Sequence, residues 1–179
     1  RDEPFIEYYT RSTSHLPADS PAFVAVASEH ADASPVNTAR RLYEWLLTHL
    51  QYRPYLAERS ASFGLETRYG DDYTYATLMV ALLRAAGIPA RPVSGILITQ
   101  TGDSYVHFWC EMMILGEGWI PIDPSLGDGN YPGSFPVPDD PRTYYFGSLD
   151  PYRLTVQKGE FETDGIDADA RRWVPADPD

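Results

Sequence analysis

Three ionisable side chains, well separated along the chain, have the types that acid–base or nucleophilic chemistry requires. Asp72 stands at the start of a long apolar run, His107 lies inside a strand-like segment, and Asp123 ends the next such segment. A helix N-terminus presents unpaired N–H groups and a partial positive charge, which stabilise an anion. A histidine on a facing strand could exchange a proton with that anion, and an aspartate on the next strand could orient the imidazole. These three residues form the predicted catalytic set.

Two short motifs predict helices in the first third of the chain. Ser20-Pro21 and Ser34-Pro35 each combine a preferred N-cap residue with a proline that suits the first helical turn. They predict a short helix over 22–31 and an amphipathic helix over 37–50, where apolar residues recur at helical spacing.

A third helix is predicted over 73–86, where apolar residues form a wide stripe. Gly87 follows it, as glycine often follows a helix C-cap, and we expect this helix to be central and largely buried. By contrast, the first 16 residues show little periodicity. The glycines and proline within 51–70 predict a loop there.

The second half of the chain changes to the patterns typical of strands. Segments 91–99, 104–115 and 119–123 are joined by short turns containing glycine, which predicts an antiparallel three-stranded meander. A last strand is predicted at 152–158, after a loop over 126–142. Helices followed by an antiparallel sheet define an α+β fold in which the central helix packs on the sheet.

Composition limits the classes of partner and of site. Apolar residues make up 43% of the sequence and we find no repeat, which predicts one globular domain over 1–179 with an acidic tail from about 160. The net charge of −12 argues against nucleic acid as a partner, because like charges repel. A single cysteine excludes an intrachain disulfide and the usual multi-cysteine zinc sites.

Targeting and assembly are only weakly constrained. No apolar stretch is long enough to span a membrane. Because the chain begins with Arg1, we expect it to be a processed or excised piece, and both a cytoplasmic and an extracytoplasmic location fit. The oligomeric state is not predicted, and no cofactor is expected.

Three blocks of sequence resemble the transglutaminase-like superfamily, whose fold is related to that of papain-like cysteine peptidases. The stretch 70–91, GDDYTYATLMVALLRAAGIPAR, is similar to the family's G-D-C helix start followed by L-R-A-x-G-I-P-A-R. Residues 107–111, HFWCE, resemble the family's H-x-W-x-E strand, and 118–125, GWIPIDPS, resemble G-W-x-x-x-D-P-T/S. The motif core therefore spans 70–125.

By position, the resemblance implies that His107 is the catalytic histidine and that Asp123 orients it. Asp72 matches the nucleophilic cysteine, so the chain departs from the family pattern at the reacting group. Cys110 does not replace that thiol, because side chains alternate along a strand and Cys110 points away from the face of His107. A carboxylate cannot form the family's thioester, which excludes thiol-dependent peptide hydrolysis or isopeptide formation.

Several interpretations of Asp72 stay open at this point. It could be a helix N-cap worth about 1 kcal/mol. It could act with His107 as a base or nucleophile on an electrophile other than a plain amide or, if protonated, as an acid. It could also be an engineered replacement that inactivates a cysteine enzyme. A metal site of Asp72, His107 and Asp123 is the weakest hypothesis, because the resemblance gives Asp123 an orienting role.

Aromatic and charged residues near the three blocks complete the predicted site. Trp109, Trp119, Tyr69 and Glu111 are predicted to bind substrate in a groove, although a core or surface role suits each of them as well. Arg91 is predicted to pair with a carboxylate. The leading hypothesis is an enzyme with non-thiol hydrolytic or acid–base chemistry on a peptide, glycan or small molecule. The alternative is a non-catalytic domain that binds a peptide, a glycan or a partner protein.

Overall fold

A computed structural model of the chain describes residues 3–160, so the predicted acidic tail lies outside the described residues from 161 onward. The helices are α1 (Glu3–Thr10), α2 (Pro21–Glu29), α3 (Pro35–His49), α4 (Ala61–Thr67), α5 (Asp72–Ala85), α6 (Pro124–Gly127) and α7 (Pro141–Tyr144). The strands are β1 (Gln51–Tyr52), β2 (Tyr69–Gly70), β3 (Ala90–Ile98), β4 (Ser104–Ile114), β5 (Gly118–Ile122) and β6 (Arg153–Lys158). Within the described range, no helix has the length and apolar character needed to cross a membrane.

The central helix α5 is buried along most of its length, as the sequence predicts. Every residue from Thr74 to Arg84 is buried, because the helix packs between α2, α3 and α4 and the sheet. Asp71 is its N-cap and accepts a hydrogen bond from the Thr74 N–H at 3.1 Å. The interpretation of Asp72 as the N-cap is therefore wrong, since Asp72 is the first helical residue and its carboxylate has other partners.

The sheet has the strand order β5-β4-β3-β6, with all neighbours antiparallel, so the predicted meander and last strand are confirmed. In its centre, His107 on β4 lies opposite Gly95 on β3. A Cβ at Gly95 would collide with the Leu154 carbonyl and would lie 2.6 Å from the Trp109 indole. Glycine at this position therefore lets β6 and the indole of Trp109 approach β3 closely.

Two parts of the helical layer differ from the predictions. The first 16 residues contain α1, whose Phe5 and Tyr9 pack on Trp119 with ring centroids 5.9 and 4.9 Å apart. The loop prediction for 51–70 is wrong, because the segment contains α4 between two short parallel strands. Gly64 acts as a packing contact and not as a breaker, since a Cβ there would lie 2.5 Å from the Thr74 side chain on α5.

Candidate functional site

The carboxylate of Asp72 has four hydrogen-bond donors around it. Its Oδ1 accepts from the Tyr73 N–H at 3.0 Å and from Arg59 Nη2 at 3.4 Å. Its Oδ2 accepts from the Phe108 N–H at 3.2 Å and lies 3.1 Å from Nδ1 of His107. The N-terminus of α5 and strand β4 therefore form an anion site in which both oxygens of Asp72 are satisfied.

His107 lies between two carboxylates, with one on each side of its ring. Its Nε2 is 2.8 Å from Oδ2 of Asp123, while its Nδ1 contacts Asp72. Burial disfavours the imidazolium, but the charges and hydrogen bonds of Asp123 and Asp72 outweigh it and raise the pKa of His107 to about 9. At neutral pH the ring is therefore charged, and both of its N–H groups donate to carboxylates.

Asp123 joins the site to the last strand of the sheet. It is fully buried, and its Oδ1 caps α6 by accepting from the Leu126 N–H at 3.1 Å. Its Oδ2 accepts from Nη1 of Arg153 at 2.9 Å as well as from His107. Although burial disfavours its charge, His107 and Arg153 hold the pKa of Asp123 below its usual value.

Arg153 is a site residue that the sequence analysis missed. It lies on β6, forms ion pairs with Asp123 and Asp150, and is positioned over the Trp109 ring at 4.8 Å. The only sequence signal is a single arginine, the second residue of the strand predicted at 152–158. Nothing in that local pattern indicates that β6 pairs with β3, which is the placement that brings Arg153 to Asp123.

A cavity of about 390 Å³ opens beside Asp72 and His107. Its other lining residues come from β1, β3, β4 and the segment around α6, and they are Tyr52, Leu97, Tyr105, Val106, Ser125, Gly129, Asn130, Tyr131 and Pro132. The volume is at the lower end of the range of small-molecule sites, about 300–1,000 Å³. The partly exposed Asp72 carboxylate and the buried His107 ring therefore border a space that a small ligand could occupy.

The four residues predicted to bind substrate lie outside the lining of this cavity. Trp109 is buried beside His107, with ring centroids 6.2 Å apart, and Trp119 stacks under the Arg91 guanidinium at 3.8 Å. Glu111 is buried and pairs with Arg91 and Lys158, and Tyr69 lies under the Arg53 guanidinium at 3.5 Å. Their role in binding stays a prediction.

Two smaller predictions are settled by the same contacts. Arg91 pairs with a carboxylate, as predicted, because its Nη2 lies 2.7 Å from Oε2 of Glu111. Cys110 is fully buried, and burial raises the pKa of its thiol, as expected for an inert cysteine.

The geometry does not favour a metal at the three ionisable residues. Asp72 and Asp123 contact opposite nitrogens of the His107 ring, so their oxygens cannot converge with that ring on one ion. In the part of the chain that the structure describes, no cluster of three or more His, Cys, Asp or Glu side chains could hold a metal.

The charged state of His107 predicts how stability depends on pH. A histidine whose pKa is about 9 in the folded chain and near 6.5 in the unfolded chain stabilises the fold fully below pH 6.5. That contribution is lost as the pH rises through about 9. We expect the wild type to lose on the order of 2–3 kcal/mol of unfolding free energy between pH 6.5 and 9.5, relative to His107→Gln.

Urea unfolding of both chains across that range measures the difference, and NMR titration of the histidine Cε1–H signals gives the pKa of His107 directly. A His107 midpoint near 6.5, or parallel stability curves for the two chains, would contradict the charged arrangement.

Comparison with known families identifies the domain type. Residues 24–124, more than half of the chain, match the model of the transglutaminase-like superfamily. The chain belongs to the transglutaminase-like superfamily. The matched range contains α5, the whole three-stranded meander and all three of Asp72, His107 and Asp123.

Two curated relatives of this transglutaminase-like chain are similar to only part of it. It is 32% identical over 90 residues, 43% of the chain, to the uncharacterized protein YebA of Bacillus subtilis. It is 36% identical over 74 residues, 35% of the chain, to a protein-glutamine gamma-glutamyltransferase of Pseudomonas aeruginosa. The matches span only 12% and 11% of the lengths of these two relatives.

Solved structures confirm the transglutaminase-like, cysteine-peptidase-related α+β fold. The periplasmic domain of TgpA from Pseudomonas aeruginosa, solved with bound ethylmercury, is 28% identical, with a TM-score of 0.52 over 68% of this chain and 49% of that one. A candidate cysteine protease from Cytophaga hutchinsonii is 20% identical, with a TM-score of 0.54 over 68% of this chain and 42% of that one. The second similarity concerns the fold alone.

Proposed function

We propose that this domain is a non-catalytic ligand-binding member of the transglutaminase-like superfamily, in which Asp72 stands at the position of the nucleophile. Asp72 and His107 would then form part of the cavity wall, with the fully buried Asp123 holding the His107 ring in place from behind. The observation that carries the proposal is that both oxygens of Asp72 and both ring nitrogens of His107 already have partners inside the protein.

The charge of His107 argues against its use as a base. A general base works best when its pKa lies near the working pH and its nitrogen is free to accept a proton. The pKa of His107 is about 9, and both of its nitrogens donate to carboxylates. Activating a nucleophile through this ring would require breaking one of those contacts and removing a proton that two negative charges hold.

A second candidate, hydrolysis through the carboxylate of Asp72, is supported by one observation. The Asp72 side chain is 15% exposed and lines the cavity together with His107. Asp72 could attack an activated ester, forming an acyl-aspartate and releasing the alcohol, after which water would cleave the anhydride and restore the carboxylate. If neutral His107 activated that water, turnover would rise as the pH increases through about 9.

The relatives support a location but not a substrate. Similarity to the periplasmic domain of TgpA favours an extracytoplasmic location for this domain. The transferase activity named for the second curated relative belongs to a much longer protein, of which this chain matches 11%. Asp72 in place of the thiol would prevent the same reaction here.

The two candidates are separated by assaying the chain beside Asp72→Asn and Asp72→Cys on a panel of peptides, activated esters and oligosaccharides. The binding proposal predicts no turnover by the wild type or by Asp72→Asn. The proposal would be contradicted if the wild type turned over a substrate and both Asp72→Asn and Asp72→Cys were inactive. That result would support the carboxylate mechanism. Turnover by Asp72→Cys alone would show that the remaining groups still support thiol chemistry and that Asp72 silences it.

A further inference from the structure

Two residues that line the cavity have buried hydroxyl groups, and that of Ser125 has no hydrogen-bond partner among the described residues. Ser125, in the first turn of α6, is 1% exposed, and its Oγ is buried and unpaired. The hydroxyl of Tyr131 is also buried, but it has the side chain of Tyr145 as a hydrogen-bonding neighbour. A buried polar group without a partner costs free energy, and natural proteins keep few of them. Both residues line the cavity, so a ligand there could supply the partner that the Ser125 hydroxyl lacks.

Aromatic and apolar side chains form part of the cavity wall, beside the amide of Asn130. Tyr52 and Tyr105 contribute rings, and Leu97 and Pro132 contribute apolar surface. Tyrosine combines a flat apolar ring with a polar edge, so it suits ligands whose faces are apolar and whose edges carry hydroxyl groups. Tyr105 is 40% exposed, which places an aromatic ring at the rim of the cavity.

The charges of the lining do not favour an ionic ligand. Asp72 and His107 are the charged residues among those that line the cavity, and they already pair with each other. An anion would also approach a chain of net charge −12 without meeting an unpaired cation in this lining. In this lining, the polar group that still lacks a partner is the hydroxyl of Ser125, which can both donate and accept.

We propose that the cavity between Ser125, Tyr131 and the Tyr52–Tyr105 walls binds a sugar residue of a neutral oligosaccharide. This inference rests on the proposed ligand-binding function and names the class of its ligand. Sugar hydroxyls both donate and accept, so they match the unpaired hydroxyl of Ser125 and can share the hydroxyl of Tyr131 with Tyr145. The apolar C–H face of a sugar ring matches the tyrosine walls, and a neutral glycan avoids the repulsion that an anionic one would meet.

The test combines a binding screen with a substitution that separates binding from stability. The full chain is titrated calorimetrically with neutral cello-, malto-, xylo- and chito-oligosaccharides, and in parallel with sulfated oligosaccharides and uncharged peptides. Ser125→Ala removes the unpaired hydroxyl and is expected to weaken neutral glycan binding about fivefold. The free variant should be at least as stable as the wild type, because a buried unsatisfied group is gone.

Tyr131→Phe should weaken binding in the same way, whereas Ser148→Ala is the matched control because Ser148 is exposed and outside the cavity lining. Neutral glycan binding that Ser125→Ala weakens, without loss of stability, supports the inference. The inference is overturned if no neutral glycan binds. It is also overturned if the affinity for glycan is unchanged in both Ser125→Ala and Tyr131→Phe. Uncharged peptides that bind instead, with sensitivity to Ser125→Ala, would overturn the glycan class but leave the ligand-binding function standing.

Discussion

The Asp72→Cys variant is expected to react with iodoacetamide at pH 6 about 100-fold faster than an ordinary protein thiol. The donors that surround Asp72 are the N-terminus of α5, the Phe108 N–H, Arg59 and the His107 imidazolium. The same groups would stabilise a thiolate and depress the pKa of the introduced thiol. At pH 6 an ordinary thiol, with a pKa near 8.5, is almost wholly protonated.

The wild-type chain should itself be alkylated very little in this measurement. Its one natural cysteine, Cys110, is fully buried, and burial raises the pKa of its thiol. Alkylation is followed by intact-protein mass spectrometry between pH 4 and 9, with Asp72→Cys combined with His107→Gln as the control. We expect the control to lose most of the rate at pH 6. A rate profile centred near pH 8.5 that does not depend on His107 would refute an anion site around Asp72.

Asp123→Ala is expected to lower the free energy of unfolding by about 3–5 kcal/mol. Asp123 is fully buried, and its removal leaves Nε2 of His107 and Nη1 of Arg153 without their shared acceptor. It also removes the cap of α6. A buried ion pair costs most when one partner is deleted, because the other charge stays in a medium of low dielectric.

Urea unfolding at pH 6 measures this loss, with Asp139→Ala as the matched control. Asp139 is exposed, and its replacement should change stability by no more than about 0.5 kcal/mol. Asp123→Asn keeps the shape and one acceptor oxygen, so it should lose less than the alanine variant. If Asp123→Ala lost under about 1 kcal/mol, the network would be too solvated to act as a buried triplet.

The best-predicted parts of the fold are those in which local pattern and packing agree. Helix α5 combines an aspartate cap, an apolar stripe and a terminal glycine, and the meander combines apolar segments with glycine turns. Helix α4 was missed because Gly64 is a breaker in local terms and a close packing contact in the folded chain. Helix α1 was missed because its eight residues span little more than two turns, too few for a clear period.

The site was predicted unevenly for a related reason. Asp72, His107 and Asp123 sit within sequence blocks whose local pattern is strong, and the structure brings the three side chains together. Their catalytic role stays a prediction. The role of Arg153 could not be predicted, because only the pairing of β6 with β3 brings it to Asp123. The unpaired hydroxyl of Ser125 is likewise apparent only in the folded structure.

The ion pair between Arg153 on β6 and Asp123 limits how far the chain can be truncated from its C-terminal side. The match to the family ends at residue 124, yet Arg153 reaches back from β6 to neutralise Asp123. A fragment trimmed at 124 would keep a buried carboxylate and lose both its guanidinium and the strand that covers the edge of β3. Cleavage between the exposed residues Gly133 and Ser134 should instead nick the backbone without releasing β6. Trimming studies should therefore retain the chain to at least Lys158.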